Sequence, residues 1–368
     1  MARTVIGLDL GTSGVRAVQV SGGKDSLVLD RYAELPLDRG VIEGGEVKDP
    51  DALAVTLKAL WAKGGFKSKD VIIGVANSKV IVRQLDLPWM APADLKKSIA
   101  FQVQDYIPMP VDEANLDFHI LEEFGDGESR TLRILLVAAA TEMVAKAVEA
   151  VQAAGLRPSK ADLTPFALIR AASSAGDQFG SGAEALVDVG AEVTNIIIHQ
   201  GGMPRFVRIL ATGGNGITSQ IAVRLGVPQE QAETVKFEVA AAGPATGPVI
   251  ESVFGDKNAA PQPVVTDHPA QGIVNETVAA FVSDVRTSLD YFLTSSPDVE
   301  GLSRVVLSGG GSRMTGLRDR LAAELRIPVE FGKPNAHLTI KQEIPAGELQ
   351  DLEKQMSVAI GLCLNEVK

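Results

Sequence analysis

Two aspartates stand in the same setting half a chain apart. Laying residues 5–23 on residues 184–202 without a gap places Asp9 on Asp188, Gly11 on Gly190 and Gly22-Gly23 on Gly201-Gly202. Each copy, "IGLDLGTSGVRAV" and "LVDVGAEVTNI", reads as strand, tight turn, strand. Chance likeness between β-hairpins is the bland account, and a duplicated lobe is the informative one. Facing hairpins of this kind offer backbone N–H groups to phosphate oxygens, and glycine lets the backbone come close with no Cβ in the way. Thr12 and Ser13 add hydroxyl donors. Two carboxylates turned on one polyphosphate would repel it unless a divalent cation sat between them. Asp9 and Asp188 therefore call for Mg²⁺, held through water because that ion sheds its hydration shell reluctantly.

Two further glycine clusters belong to the same chemistry. "VVLSGGGSRMTGL" places Gly309, Gly310 and Gly311 between a strand and a helix, where bare backbone suits a flat base and where a plain turn is the alternative. "ATGGNGIT" puts Gly213 and Gly214 at a helix N-terminus, followed by Asn215. Eighteen residues beyond Asn215, Glu233 and Lys236 lie one helical turn apart, able to grip a ribose hydroxyl and an adenine edge or simply to form a solvated ion pair.

These residues must be positioned by a chain of 368 residues, long enough for two or more lobes. With 45% hydrophobic and only 5% aromatic residues, the composition points to α/β architecture rather than a base-stacking surface. A net charge of −11 argues against broad binding to a phosphate backbone. The single cysteine, Cys363, sits in the apolar run "SVAIGLCL", which rules out a disulfide framework and fits a reducing cytoplasm. His119, His199, His268 and His337 show no ligand spacing, and the apolar stretch "ILLVAAA" is too short to span a bilayer.

Along the chain, residues 4–10, 15–20 and 26–37 read as strands, and "KDPDALAVTLKALWAKGGF" as a helix capped by Asp49 and ended by Gly64-Gly65. "DVIIGVAN" and "VIVRQLDL" follow as strands. Residues 91–108 form an amphipathic helix with Leu95, Ile99, Val103 and Tyr106 on one face. A hairpin around "GDGESR" and a helix capped by Thr141 and closed by Gly155 complete an α-β-β-α block, read as an inserted subdomain over 88–157. The second half runs strand, turn, strand, two helices, then a Pro-, Ala- and Gly-rich stretch at 241–272 read as a flexible loop. A long helix from 274, strand "RVVLSGG", helix "TGLRDRLAAEL", short strand "PVEFG" and a final apolar helix close the chain.

In this order the motifs resemble the actin-like ATPase superfamily, which includes actin, Hsp70, sugar kinases and FtsA. "LDLGTSGVRAV" is similar to its first phosphate motif, "LVDVGAEVTNI" to the second and "VVLSGGGSRMTGL" to the adenosine motif, while "LTPFALIRAA" and "SVAIGLCL" resemble its two connecting helices. Within it, "FQVQDYIPMPVDEANLDFHIL" and "LLVAAATEMVAKAVEAVQAAGLRPSKADLTPFALIRA" resemble the PilM family of type IV pilus assembly proteins, the FtsA-like branch.

The resemblance implies an actin-like α/β fold of two duplicated, ribonuclease H-like lobes around a nucleotide cleft. Lobe 1 would take 1–87 and 158–181, the inserted subdomain 88–157, and lobe 2 182–212 and 300–368, with a smaller subdomain at 213–299. It implies ATP and Mg²⁺ as cofactors: Asp9, Gly11, Thr12, Ser13 and Arg16 on phosphate and metal, Asp188 and Gly190 opposite them. Gly213, Gly214, Asn215, Glu233 and Lys236, with Gly309, Gly310, Gly311 and Ser312, would hold the nucleoside.

The implied partner is the cytoplasmic N-terminal peptide of PilN, captured in a groove between the inserted subdomain and lobe 1. The apolar faces of helices 93–106 and 141–154 are the sequence candidates for that groove. Through PilN the chain would reach PilO and the pilus motor machinery at the inner face of the membrane, with self-association left open. Where hydrolysing relatives orient water with Glu or Gln, this sequence has Thr164 before Pro165, with Asp162 nearby, so weak hydrolysis or plain ATP retention is expected. The alternatives are a sugar-type kinase, which "GLDLGTSGVRA" alone would suit, and an FtsA-like filament. The sequence finishes at "LNEVK" without the amphipathic membrane helix of FtsA, so membrane association is expected only through a partner.

Overall fold

The computed structural model describes residues 3–23, 26–173, 182–239, 270–296, 299–341 and 353–367. The chain begins with a meander, β1 (Arg3–Leu10), β2 (Gly14–Gly23) and β3 (Ser26–Pro36), followed by a two-residue-per-arm hairpin, β4 (Ile42–Glu43) and β5 (Glu46–Val47). Helix α1 (Pro50–Gly64) starts as its sequence dictates: the Asp49 carboxylate accepts the Ala52 N–H at 2.9 Å, Pro50 fills the first turn, and Gly65 ends it at φ 61°. Then come β6 (Asp70–Val75), β7 (Ile81–Pro88), α2 (Pro92–Val103), β8 (Ala114–Phe124), β9 (Thr131–Ala140), α3 (Thr141–Ala153), β10 (Arg157–Leu163) and α4 (Thr164–Ser173).

The second half repeats the opening with β11 (Ala183–Val189), β12 (Thr194–Gln200) and β13 (Met203–Leu210). It continues through α5 (Gly214–Leu225), α6 (Gln229–Glu238) and the long α7 (Gln271–Ser295) to β14 (Leu302–Ser308), α8 (Leu317–Leu325), β15 (Val329–Phe331), β16 (Leu338–Ile340) and α9 (Ser357–Val367).

Two sheets carry the repeat. One has the strand order β10-β6-β1-β2-β3-β16 and the other β13-β12-β11-β14-β15. In both, an antiparallel hairpin lies beside a parallel strand, β6 on β1 and β14 on β11. The registers coincide as well: Asp9 pairs with Arg16 across β1–β2, and Asp188 with Asn195 across β11–β12. The duplication read from the sequence is thus a duplication of topology.

Helices α4 and α9 join the halves. Leu168 and Ile169 of α4 and Ala359, Ile360 and Leu364 of α9 are buried in a cluster that also holds Val18 and Val20 of one sheet and Leu186 and Ile197 of the other. The helices touch backbone to backbone, since a Cβ on Gly361 would lie 1.9 Å from the Ala167 carbonyl oxygen. Cys363 is fully buried beneath β1, where its sulfur accepts the Gly7 N–H at 3.1 Å. Burial pushes its thiol up to about 12, so it serves as a small packed side chain.

The third sheet, β7-β9-β8, belongs to the inserted block. It includes residues 81–87, which the sequence grouped with lobe 1, because β7 pairs along its whole length with β9. Conversely, Ala147, Ala150 and Val151 of α3 are buried against Leu53, Leu57 and Leu60 of α1, so that helix packs with lobe 1. Two local expectations need correction. Tyr106 lies beyond the end of α2 and is exposed, and Ile107 is buried with Leu95, Ile99 and Val103 instead. Thr141 is the first residue of α3 rather than its cap; the cap position falls to Ala140, which has no side-chain capping hydrogen bond. The buried apolar side chains of α2 pack on the three-stranded sheet, while those of α3 pack on α1, with Met143 and Ala147 also lining the cleft described below. Of the expected loop at 241–272, residues 241–269 lie outside the described residues, while Gln271 and Gly272 already belong to α7.

Candidate functional site

The two hairpin turns converge on a cleft of 240 Å³ between the sheets. Asp9, at the end of β1, lies 3.5 Å from the Arg16 guanidinium, which also pairs with Glu34 at 2.8 Å and donates to the Gln355 side-chain carbonyl at 2.9 Å. Burial drives the Asp9 carboxyl up to about 6; Arg16 opposes this and the charge of Asp188 adds to it. Asp188 is raised too, chiefly by burial, although it accepts from Asn195 Nδ2 at 3.2 Å. The cleft floor therefore carries more negative charge than its own cation balances.

The lobe 2 wall is built from close backbone approaches. The Gly214 and Asn215 N–H groups donate to the carbonyls of Gly190 and Ala191 at 2.9 and 2.7 Å, pinning the start of α5 onto the second turn. Gly309 takes φ 84°, and a Cβ there would sit 2.4 Å from the Val189 carbonyl oxygen, so only glycine fits. One turn apart on α6, Glu233 and Lys236 meet at 2.7 Å, and Lys236 Nζ also donates to Thr218 Oγ1 at 2.9 Å and to the Gly214 carbonyl at 3.2 Å. Lys236 is almost fully buried, and that burial lowers its pKa against the pull of Glu233.

Asp9, Gly11, Thr12, Ser13 and Arg16 line the cleft from lobe 1, with Asp188, Gly190, Gly214, Asn215, Glu233, Lys236 and Gly309 to Gly311 from lobe 2. Gly213 and Ser312 stand behind the wall. Gly213 packs against the Gly190 carbonyl, and the buried Ser312 hydroxyl donates to the Gly309 carbonyl at 2.7 Å. Thr164 lines the cleft at the start of α4, whereas Asp162 is turned aside to pair with Arg170 and to accept from Asn365.

The lining also includes residues that the sequence reading passed over. Asn195 was within reach, since the same self-alignment lays it on Arg16. Phe237 follows Lys236 directly, and its ring lies beneath Lys236 Nζ at 4.7 Å and Arg313 at 5.7 Å. Gln355 carries no local signal: it reaches Arg16 only because α9 returns to β1.

A second cavity, of 360 Å³, opens between the three-stranded sheet and α4. Phe118 and His119 of β8, Val137 of β9, Phe166 and Ile169 of α4, and Met203 of β13 line it.

Among the described residues, no helix is long and apolar enough to cross a membrane. The family model of the type IV pilus assembly protein PilM matches residues 7–244, and that of the cell division protein FtsA matches residues 185–360. FtsA of Pseudomonas aeruginosa is 23% identical over 360 residues, covering 90% of this chain and 83% of its own. A solved PilM–PilN type IV pilus biogenesis complex covers 99% of this chain and 98% of that chain, with 26% identity and a TM-score of 0.82. MreB5 of Spiroplasma citri bound to ADP shares the fold alone, at 12% identity and a TM-score of 0.53 over 99% of this chain and 96% of that one. The fold is that of the actin-like ATPases, and the chain belongs to the PilM family of type IV pilus assembly proteins.

Proposed function

We propose that this protein is a cytoplasmic ATP-binding assembly factor that captures the N-terminal peptide of PilN and so ties the PilN/PilO platform to the pilus motor. The observation that carries this reading is the near full-length likeness to a PilM solved with PilN. The cleft supports the nucleotide half. Two carboxylates share it, a part-buried Asp9 and a buried Asp188, and Asn195 Oδ1 is buried there with no hydrogen-bond partner among the described residues. Asp9 and Asp188 fit Mg²⁺ held through water, and that ion would neutralise the phosphate charge that the two carboxylates otherwise repel. Among the described residues no group of three or more His, Cys, Asp or Glu side chains could hold a metal, so phosphate and water would complete the shell.

The rest of the reading concerns this chain's own residues. Thr12 and Ser13 offer hydroxyls to phosphate, Glu233 and Lys236 grip the nucleoside, and Gly309 to Gly311 leave room for the base. Thr164 supplies neither carboxylate nor amide to orient water, which supports retention of ATP with weak hydrolysis at most. The cavity lined by Phe118, Phe166, Ile169 and Met203 suits apolar side chains of an extended peptide. It also shares α4 with the cleft, since Thr164 and Phe166 lie two residues apart. ATP, by closing the lobes on α4, would set the shape of the groove.

Fluorescence anisotropy with a labelled peptide of the first residues of the neighbouring PilN-type protein tests the reading. Binding at tens of micromolar or tighter, changed by ATP and Mg²⁺, is expected. Absence of binding under both conditions would overturn it.

A further inference from the structure

The duplicated turns differ at one position in a way that phosphate binding does not account for. Where the first turn has Ser13, the second has Glu192. A carboxylate in a phosphate-binding turn would repel the ligand unless it faced elsewhere, and this one faces the other lobe. Glu192 Oε2 accepts the Gly44 N–H at 2.7 Å, within the range of charge-assisted hydrogen bonds.

The donor is held in place from its own side. Gly44 and Gly45 form the tip of the β4–β5 hairpin at φ 56° and 82°, and the Asn77 side-chain amide donates to the Gly44 carbonyl. At Gly45 a Cβ would lie 1.9 Å from the Ala76 carbonyl, so the tip is seated directly on the end of β6. The nearby lysines, Lys48 and Lys79, are both paired with Glu46 and leave the backbone N–H as the partner of Glu192. On the lobe 2 side, Glu192 Oε1 lies 3.5 Å from Asn215 Nδ2, at the helix start that is pinned to the same turn. One side chain thus joins the lobe 1 hairpin, the second phosphate turn and the N-terminus of α5. Ile42, Gly45 and Val47 of the hairpin line the cleft itself, so the contact spans its mouth.

We propose that Glu192 is a latch: its hydrogen bond to Gly44 holds the two lobes closed over the cleft, and the cleft opens for exchange of its ligand when that bond breaks. The ligand half of this proposal rests on the nucleotide reading above, and the lobe contact does not. Two measurements on the full chain separate them: hydrogen–deuterium exchange at the Gly44 amide, and stopped-flow release of a fluorescent ATP analogue with Mg²⁺. Glu192→Ala should raise both rates about 10-fold, and Glu192→Gln, which keeps a neutral acceptor, should raise them about 3-fold. Gly44 exchange unchanged in Glu192→Ala would overturn the latch. Faster Gly44 exchange with unchanged analogue release would overturn its link to ligand retention. If the wild-type protein retains no analogue, the nucleotide reading and the ligand half fail together, and the amide exchange alone decides the lobe contact.

Discussion

At the residue scale, Asp9 makes the clearest claim. Its carboxyl is raised from 3.8 to about 6, first by burial and then by Asp188, so the ligand-free fold binds this proton more tightly than the unfolded chain does. Below about pH 4 the group is protonated in both states and costs nothing; the penalty grows through the window to pH 6 and is complete above it. A rise of that size corresponds to about 3 kcal/mol at most. Asp9→Asn should therefore match the wild type in ligand-free stability near pH 4 and exceed it above pH 7, as read by denaturant unfolding across pH. The same substitution should weaken Mg²⁺-dependent binding of an ATP analogue about 10- to 100-fold. A stability difference that does not grow with pH would show that Asp9 is not held in this environment. Asn195 carries a lesson at the same scale. It pairs with Asp188 in the register in which Arg16 pairs with Asp9, so the duplication kept the geometry and exchanged a cation for an amide.

At the element scale, the molecule turns on α4 and α9. Gly7 and Gly361 let β1, α9 and α4 approach without side chains between them; a Cβ on Gly7 would lie 2.1 Å from the Ala359 carbonyl. Gly361→Ala should cost about 2 to 3 kcal/mol in urea unfolding, because backbone on both sides has nowhere to move. It should also loosen the cleft, since Gln355 enters from the segment just before α9. The proposed peptide groove belongs to this scale as well. Met203→Glu would place a charge at the cavity between β8, β9 and α4, whose lining shares no residue with the cleft. Peptide affinity should fall about 10-fold by anisotropy while ATP-analogue affinity stays within two-fold of wild type, about the span expected for one interface anchor. A loss of both would place the peptide elsewhere or make the variant a folding defect.

At the scale of the whole molecule, two lobes share one core through α4 and α9, so a ligand in the cleft acts on the complete fold. Mg²⁺ and ATP at about 100 times the dissociation constant should stabilise it by about 2.7 kcal/mol, seen as a rise of a few degrees in Tm. ATP with a chelator should give much less, because Asp9 and Asp188 then face phosphate without a cation. A panel of sugars with ATP should produce no sugar-dependent turnover; robust turnover would favour a kinase over an assembly protein.

Much of this was legible in the residues alone. The duplicated Asp-x-Gly turns are a local pattern, fixed by alternation and glycine placement, so self-alignment found the hairpins and both carboxylates. The Asp49 cap and the glycine that ends α1 are equally local. Cross-chain packing was not legible. The amphipathic face of α2 is the same whether it meets its own sheet or a partner, and only the tertiary structure shows Leu95, Ile99 and Val103 already covered. Nothing near Glu192 in the chain foretells Gly44, which lies 148 residues away. The sequence by itself determined the repeated chemistry, because short-range sterics and residue type dictate a turn. The tertiary structure decided which charges face each other across the cleft, which faces stay open, and which contact latches the lobes, because those depend on where distant elements come to rest.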